Sequence, residues 1–130
     1  MLNIYLIDDD KLVNYLNREM IQSMKANCQI VSFESATNAL ESLKTIAALN
    51  VESFPSWIFL DINMPLMDGW EFLEQYAQIP AIFRQYTKIC LLSSSIDIAD
   101  LERSANNPNV WDYLIKPLNE DQLARIGLTN

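Results

Sequence analysis

The chain has 130 residues, half of them hydrophobic and a fifth charged, with a formal net charge of −8. This is the composition of one folded domain with a proper core, neither disordered nor built for the bilayer. The excess of acid argues against a nucleic-acid surface, which needs a basic patch to neutralise phosphates, and the absence of histidine removes imidazole as base, metal ligand or phosphoryl carrier.

The first apolar run, Ile4-Tyr5-Leu6-Ile7, reads as a buried strand and ends on Asp8-Asp9-Asp10. With three aspartates so close to the start, and no basic region or long apolar stretch before them, no secretory signal is expected. No later run reaches the length of a membrane span, so a cytoplasmic location is expected. Leu12, Leu16, Met20 and Met24 recur every fourth residue, with Val13 and Ile21 beside them, and predict a helix with these residues on one face and Asp10 as its cap. Gln29-Ile30-Val31-Ser32-Phe33 alternates like an edge strand. Ser35 caps a predicted helix whose inner face is Ala36, Ala39/Leu40, Leu43 and Ile46/Ala47, ended before Pro55-Ser56. Trp57-Ile58-Phe59-Leu60 is the third strand and stops at Asp61. Asp68-Gly69 then turns into a helix carrying Trp70, Leu73 and Tyr76/Ala77, stopped by Pro80.

Lys88 to Leu92 predicts a fourth strand, and Ile98, Leu101 and Ala105 a fourth helix with Ser95 as its better-placed cap. Pro108 precedes a fifth strand around Val110 to Ile115, and Glu120 to Ile126 forms a short last helix. Cys28 and Cys90 lie in apolar strand-like runs and read as buried thiols rather than a disulfide or metal pair. Five strands alternating with five helices predict an α/β domain, doubly wound around a five-stranded parallel sheet. Residues 1–130 are expected to form one domain with no output domain attached.

Three charged stations close three of these strands: Asp8-Asp9-Asp10, Asp61, and Lys116-Pro117 after Tyr113-Leu114-Ile115. In a parallel sheet the residues just past the strand C-termini meet along one edge, where open α/β sheets place their ligands. Carboxylates gathered there repel and raise one another's pKa unless a cation sits among them, and a hard divalent ion, magnesium above all, suits oxygen ligands. Each feature alone also has a plain reading. A lone strand-end aspartate is ordinarily a loop residue, Ser93 in Ser93-Ser94-Ser95 could cap a helix, Lys116 could be a solvated charge, and Trp111 and Tyr113 could be simple core or surface aromatics.

Taken together, the acidic pair Asp8-Asp9, strand-end Asp61, the loop Met64-Pro65-Leu66-Met67-Asp68-Gly69, Ser93 after the fourth strand and Lys116-Pro117 resemble the receiver domain of two-component response regulators, over nearly the whole chain. The resemblance implies that Asp61 accepts a phosphoryl group, and that Asp9, Asp61 and the Asn63 backbone carbonyl ligate magnesium, with Asp8 acting through water. It implies that Ser93 contacts the phosphoryl group, that Lys116 pairs with it, and that Tyr113 is the aromatic switch. It further implies a histidine kinase or histidine phosphotransfer protein as donor and another protein downstream, with no nucleic acid or membrane. Such a domain is an acceptor, not an enzyme, with at most slow autodephosphorylation.

The physical logic agrees, since phosphoryl transfer asks a protein mainly for positioning and charge neutralisation. Two departures concern partner geometry: the loop Ala105-Asn106-Asn107-Pro108-Asn109-Val110 and the short last helix. The alternatives are a receiver-like interaction module that is never phosphorylated and, remotely, a small magnesium-dependent phosphatase working through an aspartyl phosphate. The latter typically carries a second aspartate where Asn63 stands.

Overall fold

The computed structural model describes residues 2–49 and 51–129. Its strands are β1 (Leu2–Ile7), β2 (Cys28–Phe33), β3 (Trp57–Asp61), β4 (Lys88–Ser93) and β5 (Val110–Ile115). All pair in parallel in a single sheet ordered β2-β1-β3-β4-β5. Parallel sheets are covered on both faces, so their central strands read as unbroken apolar runs. Every residue of β3 is buried, and so is all of β4 except Lys88.

Alternate residues of each strand feed two cores. On one face Tyr5, Ile7, Ile58, Leu60, Ile89 and Leu91 pack with the helices α2 (Ala36–Ala47) and α3 (Gly69–Tyr76). On the other, Ile4, Leu6, Phe59, Cys90, Leu92 and Leu114 pack with α1 (Lys11–Met24) and α6 (Glu120–Ile126). Among the described residues no helix is long and apolar enough to cross a membrane. Both cysteine thiols are free, with Cys90 buried and Cys28 partly so.

The doubly wound sheet is the expected one, with one helix more than the five predicted. Pro80, read as a stop, instead caps a four-residue helix, α4 (Ala81–Arg84). α3 has already ended at Tyr76, and the fixed φ of proline suits the start of a helical turn. Arg84 at its end donates to the Ile79 carbonyl and to Asn109 Oδ1, joining this turn to the loop before β5. The expected caps Asp10 and Ser35 are present, as is Asp68, which forms a full capping box with Glu71.

Two helices do not bury their apolar stripes. α1 does not bury its Leu12-Leu16 stripe: Leu12 is 63% and Leu16 44% exposed, and the buried positions are Asn14, Asn17 and Ile21. A fully buried leucine side chain contributes about 1.5–3 kcal/mol, so the helix forgoes a sizeable gain to turn two amides inward. In α5 (Ile98–Ala105), Ile98 is 72% and Leu101 43% exposed, and Ser104 is the buried residue. Its cap is Asp97, whose carboxylate accepts from the Asp100 N–H, and not Ser95. Arg103 on the same helix stacks on the ring of Trp70 in α3, 4.4 Å from its centroid. At the opposite end of the sheet from Asp61, Lys88 lies over both Trp57 and Trp111 and clamps β5 to its neighbours.

Losing a carboxylate cap costs about 1 kcal/mol. Asp97→Ala should therefore lower stability by about that amount in urea denaturation, whereas Ser95→Ala should leave it within a few tenths.

Candidate functional site

The C-terminal edge of the sheet gathers the predicted charged residues. β1 delivers Asp8 and Asp9, β3 delivers Asp61, and the turn after β5 delivers Lys116. Asp8 and Asp61 are buried, at 1% and 3% exposure, whereas Asp9 faces solvent. Carboxylate oxygens of all three lie within 4.8 Å of one another. Lys116 Nζ bridges the buried pair, 3.0 Å from Asp8 Oδ2 and 3.4 Å from Asp61 Oδ1. Backbone donors hold the carboxylates in place: the Asp10 N–H bonds Asp8 Oδ1 and the Asn63 N–H bonds Asp61 Oδ1.

The electrostatics follow from this crowding. Burial above all, then the neighbouring Asp8 charge, push the Asp61 carboxyl up to about 6, while Lys116 and the Asn63 N–H pull against the rise. Burial works against the Lys116 ammonium, but its hydrogen bond to Asp8 and the charges of Asp8 and Asp61 prevail and hold its pKa above the ordinary lysine value. Three carboxylates against one ammonium leave a surplus of two negative charges among hard oxygen donors. That donor set and charge fit a divalent ion such as magnesium.

The protein-family model for the response regulator receiver domain matches residues 4–126. The chain belongs to the response regulator receiver family. A two-component response regulator from Cytophaga hutchinsonii is 34% identical and superposes with a TM-score of 0.87, over 95% of this receiver and 92% of that chain. A response regulator receiver protein from Dyadobacter fermentans superposes with a TM-score of 0.82 at 25% identity, over 97% and 98% of the two chains. An uncharacterized response regulatory protein of Vibrio cholerae is 31% identical over 96% of this receiver and 46% of its own length. A protein-glutamate methylesterase/protein-glutamine glutaminase of Methanospirillum hungatei is 30% identical over 98% of this receiver and 34% of its own length. The receiver thus spans less than half of these two curated relatives.

The remaining predicted residues lie on the same edge. Ser93 follows Leu92, the register partner of Asp61. Its buried hydroxyl donates to the Ser95 carbonyl at 2.6 Å, and its own carbonyl accepts from the Lys116 N–H. Tyr113 is already turned inward, 7% exposed, with its hydroxyl donating to that same Ser95 carbonyl at 3.3 Å. The ring that the resemblance implies as the aromatic switch is thus already packed inside. Ser93 and Tyr113 share one acceptor. Asn63 is exposed and meets Asp61 through its N–H.

Sequence reasoning missed three features of the site. One is the close approach at Gly69, where an added Cβ would stand 2.9 Å from both the Asp61 carbonyl oxygen and Ile62 Cα. Those are backbone atoms that cannot swing away, so glycine is required for α3 to start against the end of β3. The second is the Ser95 carbonyl, invisible because no side chain announces it. The third is the pair Asn14 and Asn17, whose spacing with Ile21 is that of an inward helical face but whose polarity hid it.

An unfolded Asp61 titrates near 3.8, so between there and about 6 the folded receiver holds the proton more tightly. This contribution to metal-free stability is complete below the lower value and is lost as pH rises through the upper one. In urea denaturation with chelator, the wild type should lose stability across that window while Asp61→Asn changes less. The variant should be the more stable by about 1 kcal/mol or more at pH 7.

Proposed function

We propose that this receiver takes a phosphoryl group from a phosphohistidine donor onto Asp61 and signals through protein–protein contacts. The observation that carries the reading is the placement of a buried carboxylate, Asp61, between a second acidic strand end and one ammonium, Lys116, 3.4 Å away. In the transfer an Asp61 oxygen forms a bond to phosphorus as the P–N bond of the donor breaks. The electron pair stays on the imidazole nitrogen, which takes up a proton. Asp8, Asp9, Asp61 and the Asn63 carbonyl are the residues that would hold magnesium, which when bound supplies positive charge to the transferring oxygens.

The chain's own groups do the rest. Lys116 stands where its ammonium exchanges a carboxylate oxygen for a phosphoryl oxygen. Ser93 gives up the Ser95 carbonyl to donate to a phosphoryl oxygen, which leaves that carbonyl to Tyr113 alone. The switch then acts through this shared acceptor, changing the fit of the loop after β4 and of α5 against β5. Exposed apolar residues support a protein as the partner on both sides. Leu12, Tyr15 and Leu16 on α1 follow directly from the acidic edge, and Ile96, Ile98, Leu101 and Trp111 lie on and around α5 and β5. For the downstream protein, discrimination rests on differential contacts with the two arrangements.

Incubation with acetyl phosphate and magnesium, followed by intact mass, should show one added phosphoryl group on the wild type and none on Asp61→Asn. Lys116→Ala should slow uptake by about 10²-fold, the scale of losing one charge-stabilising donor. Uptake by Asp61→Asn would move the acceptor elsewhere. Magnesium at a hundred times its dissociation constant should stabilise the wild type by about 2.7 kcal/mol. Thermal melts of Asp9→Ala should show much less of that gain, and identical gains in the two proteins would count against the assigned ligands.

A further inference from the structure

We infer that Asn14 and Asn17 of α1 are positioning residues for the acidic site: Asn14 holds the strand end that carries Asp8 and Asp9, and Asn17 holds the turn that carries Lys116. This rests on the reading of Asp61 as phosphoacceptor and adds two residues to it. Asn14 Nδ2 donates to the Asp8 carbonyl at 2.9 Å and to the Phe33 carbonyl at 3.3 Å, so it grips the ends of β1 and β2 together. Asn17 Oδ1 accepts from the Leu118 N–H at 3.1 Å, two residues beyond Lys116 and 101 residues away in sequence. Both amides are almost completely buried, at 4% and 1% exposure.

The cost of this arrangement says what it is for. Leucines were available one step round the helix, yet Leu12 and Leu16 face solvent. Asn14 Oδ1 and Asn17 Nδ2 are buried with no protein partner, so the protein itself satisfies only one of the two polar atoms of each amide. A helix chosen only to pack would carry apolar side chains at both positions. What the amides achieve that leucine cannot is a fixed distance from α1 to two backbones, one bearing the carboxylates and one the ammonium. Lys116 reaches Asp8 and Asp61 only while its own backbone is held, and the bonds at Leu118 N and at Lys116 N secure it from both sides. Groups that orient ligand-bearing residues commonly cost about 10–100-fold in affinity or rate when removed.

The two positions separate in experiment because they hold different partners. Asn17→Leu keeps the branched shape and removes the acceptor for Leu118 N, whereas Asn17→Asp keeps the acceptor. Asn14→Leu and Asn14→Asp both remove the donor to Asp8 and Phe33. With saturating magnesium and acetyl phosphate, Asn17→Leu should take up phosphoryl groups at least about tenfold more slowly, with magnesium affinity by calorimetry little changed. Asn17→Asp should recover most of that rate. Both Asn14 variants should bind magnesium at least about fivefold more weakly. Amide hydrogen exchange by NMR should find Leu118 protected in the wild type and in Asn17→Asp and unprotected in Asn17→Leu.

A folded Asn17→Leu chain with wild-type uptake, or no recovery in Asn17→Asp, overturns the assignment for Asn17. Unchanged magnesium affinity in both Asn14 variants overturns it for Asn14. Should Asn17→Leu fail to fold, exchange in the wild type decides, and an unprotected Leu118 amide refutes the bond. Should the wild type take up no phosphoryl group at all, the acceptor reading fails, while the exchange and magnesium measurements still judge the two amides.

Discussion

Two aspartates, Asp8 and Asp61, are buried next to one another against their mutual repulsion, and the whole edge of the sheet is organised to hold them there. Like charges that close raise the free energy of the folded chain unless compensated. Lys116 supplies one compensating charge, and the N–H groups of Asp10 and Asn63 supply fixed dipoles. Each compensator arrives from a different part of the chain, so the site exists only when the sheet is assembled in the right register. A parallel sheet suits this task because all its strands end on one side. Gly69 completes the constraint by letting α3 begin against the backbone of Asp61 itself.

That tension gives the site its chemical character. A carboxylate at ease, fully solvated or tightly paired, has little reason to react. Asp61 is neither: burial and Asp8 hold its affinity for a proton high, which is also the condition of a better nucleophile. Anything that brings positive charge to this edge relieves the same strain. Under the proposed function, ion binding, proton binding and group transfer would therefore draw on a single store of electrostatic free energy, each coupled to the others.

How far the fold and the site could be read from residues alone followed the physics of each signal. The strands were legible because burial on both faces forces continuous apolar runs, and their charged ends were legible because charge interrupts those runs abruptly. α2 and α3 were legible because their apolar stripes are the stripes they bury. α1 and α5 were legible as helices but not in their orientation, for a common reason: periodicity identifies a helix with an apolar face without saying that this face points inward. In α1 the inward face carries Asn14 and Asn17, whose worth depends on backbone groups 6 and 101 residues away in sequence. Pro80 was ambiguous in the same way, since a proline ends one helix and starts the next with equal ease. The Ser95 carbonyl had no signature of any kind.

α5 buries only Ser104 among its eight residues. Little buried apolar surface ties it to β5, the property of elements that open locally before a domain unfolds. An element in that position is a sensitive lever. A change of about 1.4 kcal/mol at its base shifts the ratio of docked to undocked helix tenfold. The two hydroxyls that meet at the Ser95 carbonyl, just ahead of the helix, involve free energies of that order. Under the proposed switch, loose attachment would become gain: a small rearrangement of hydrogen bonds would be read out as a large change in which surface the domain presents.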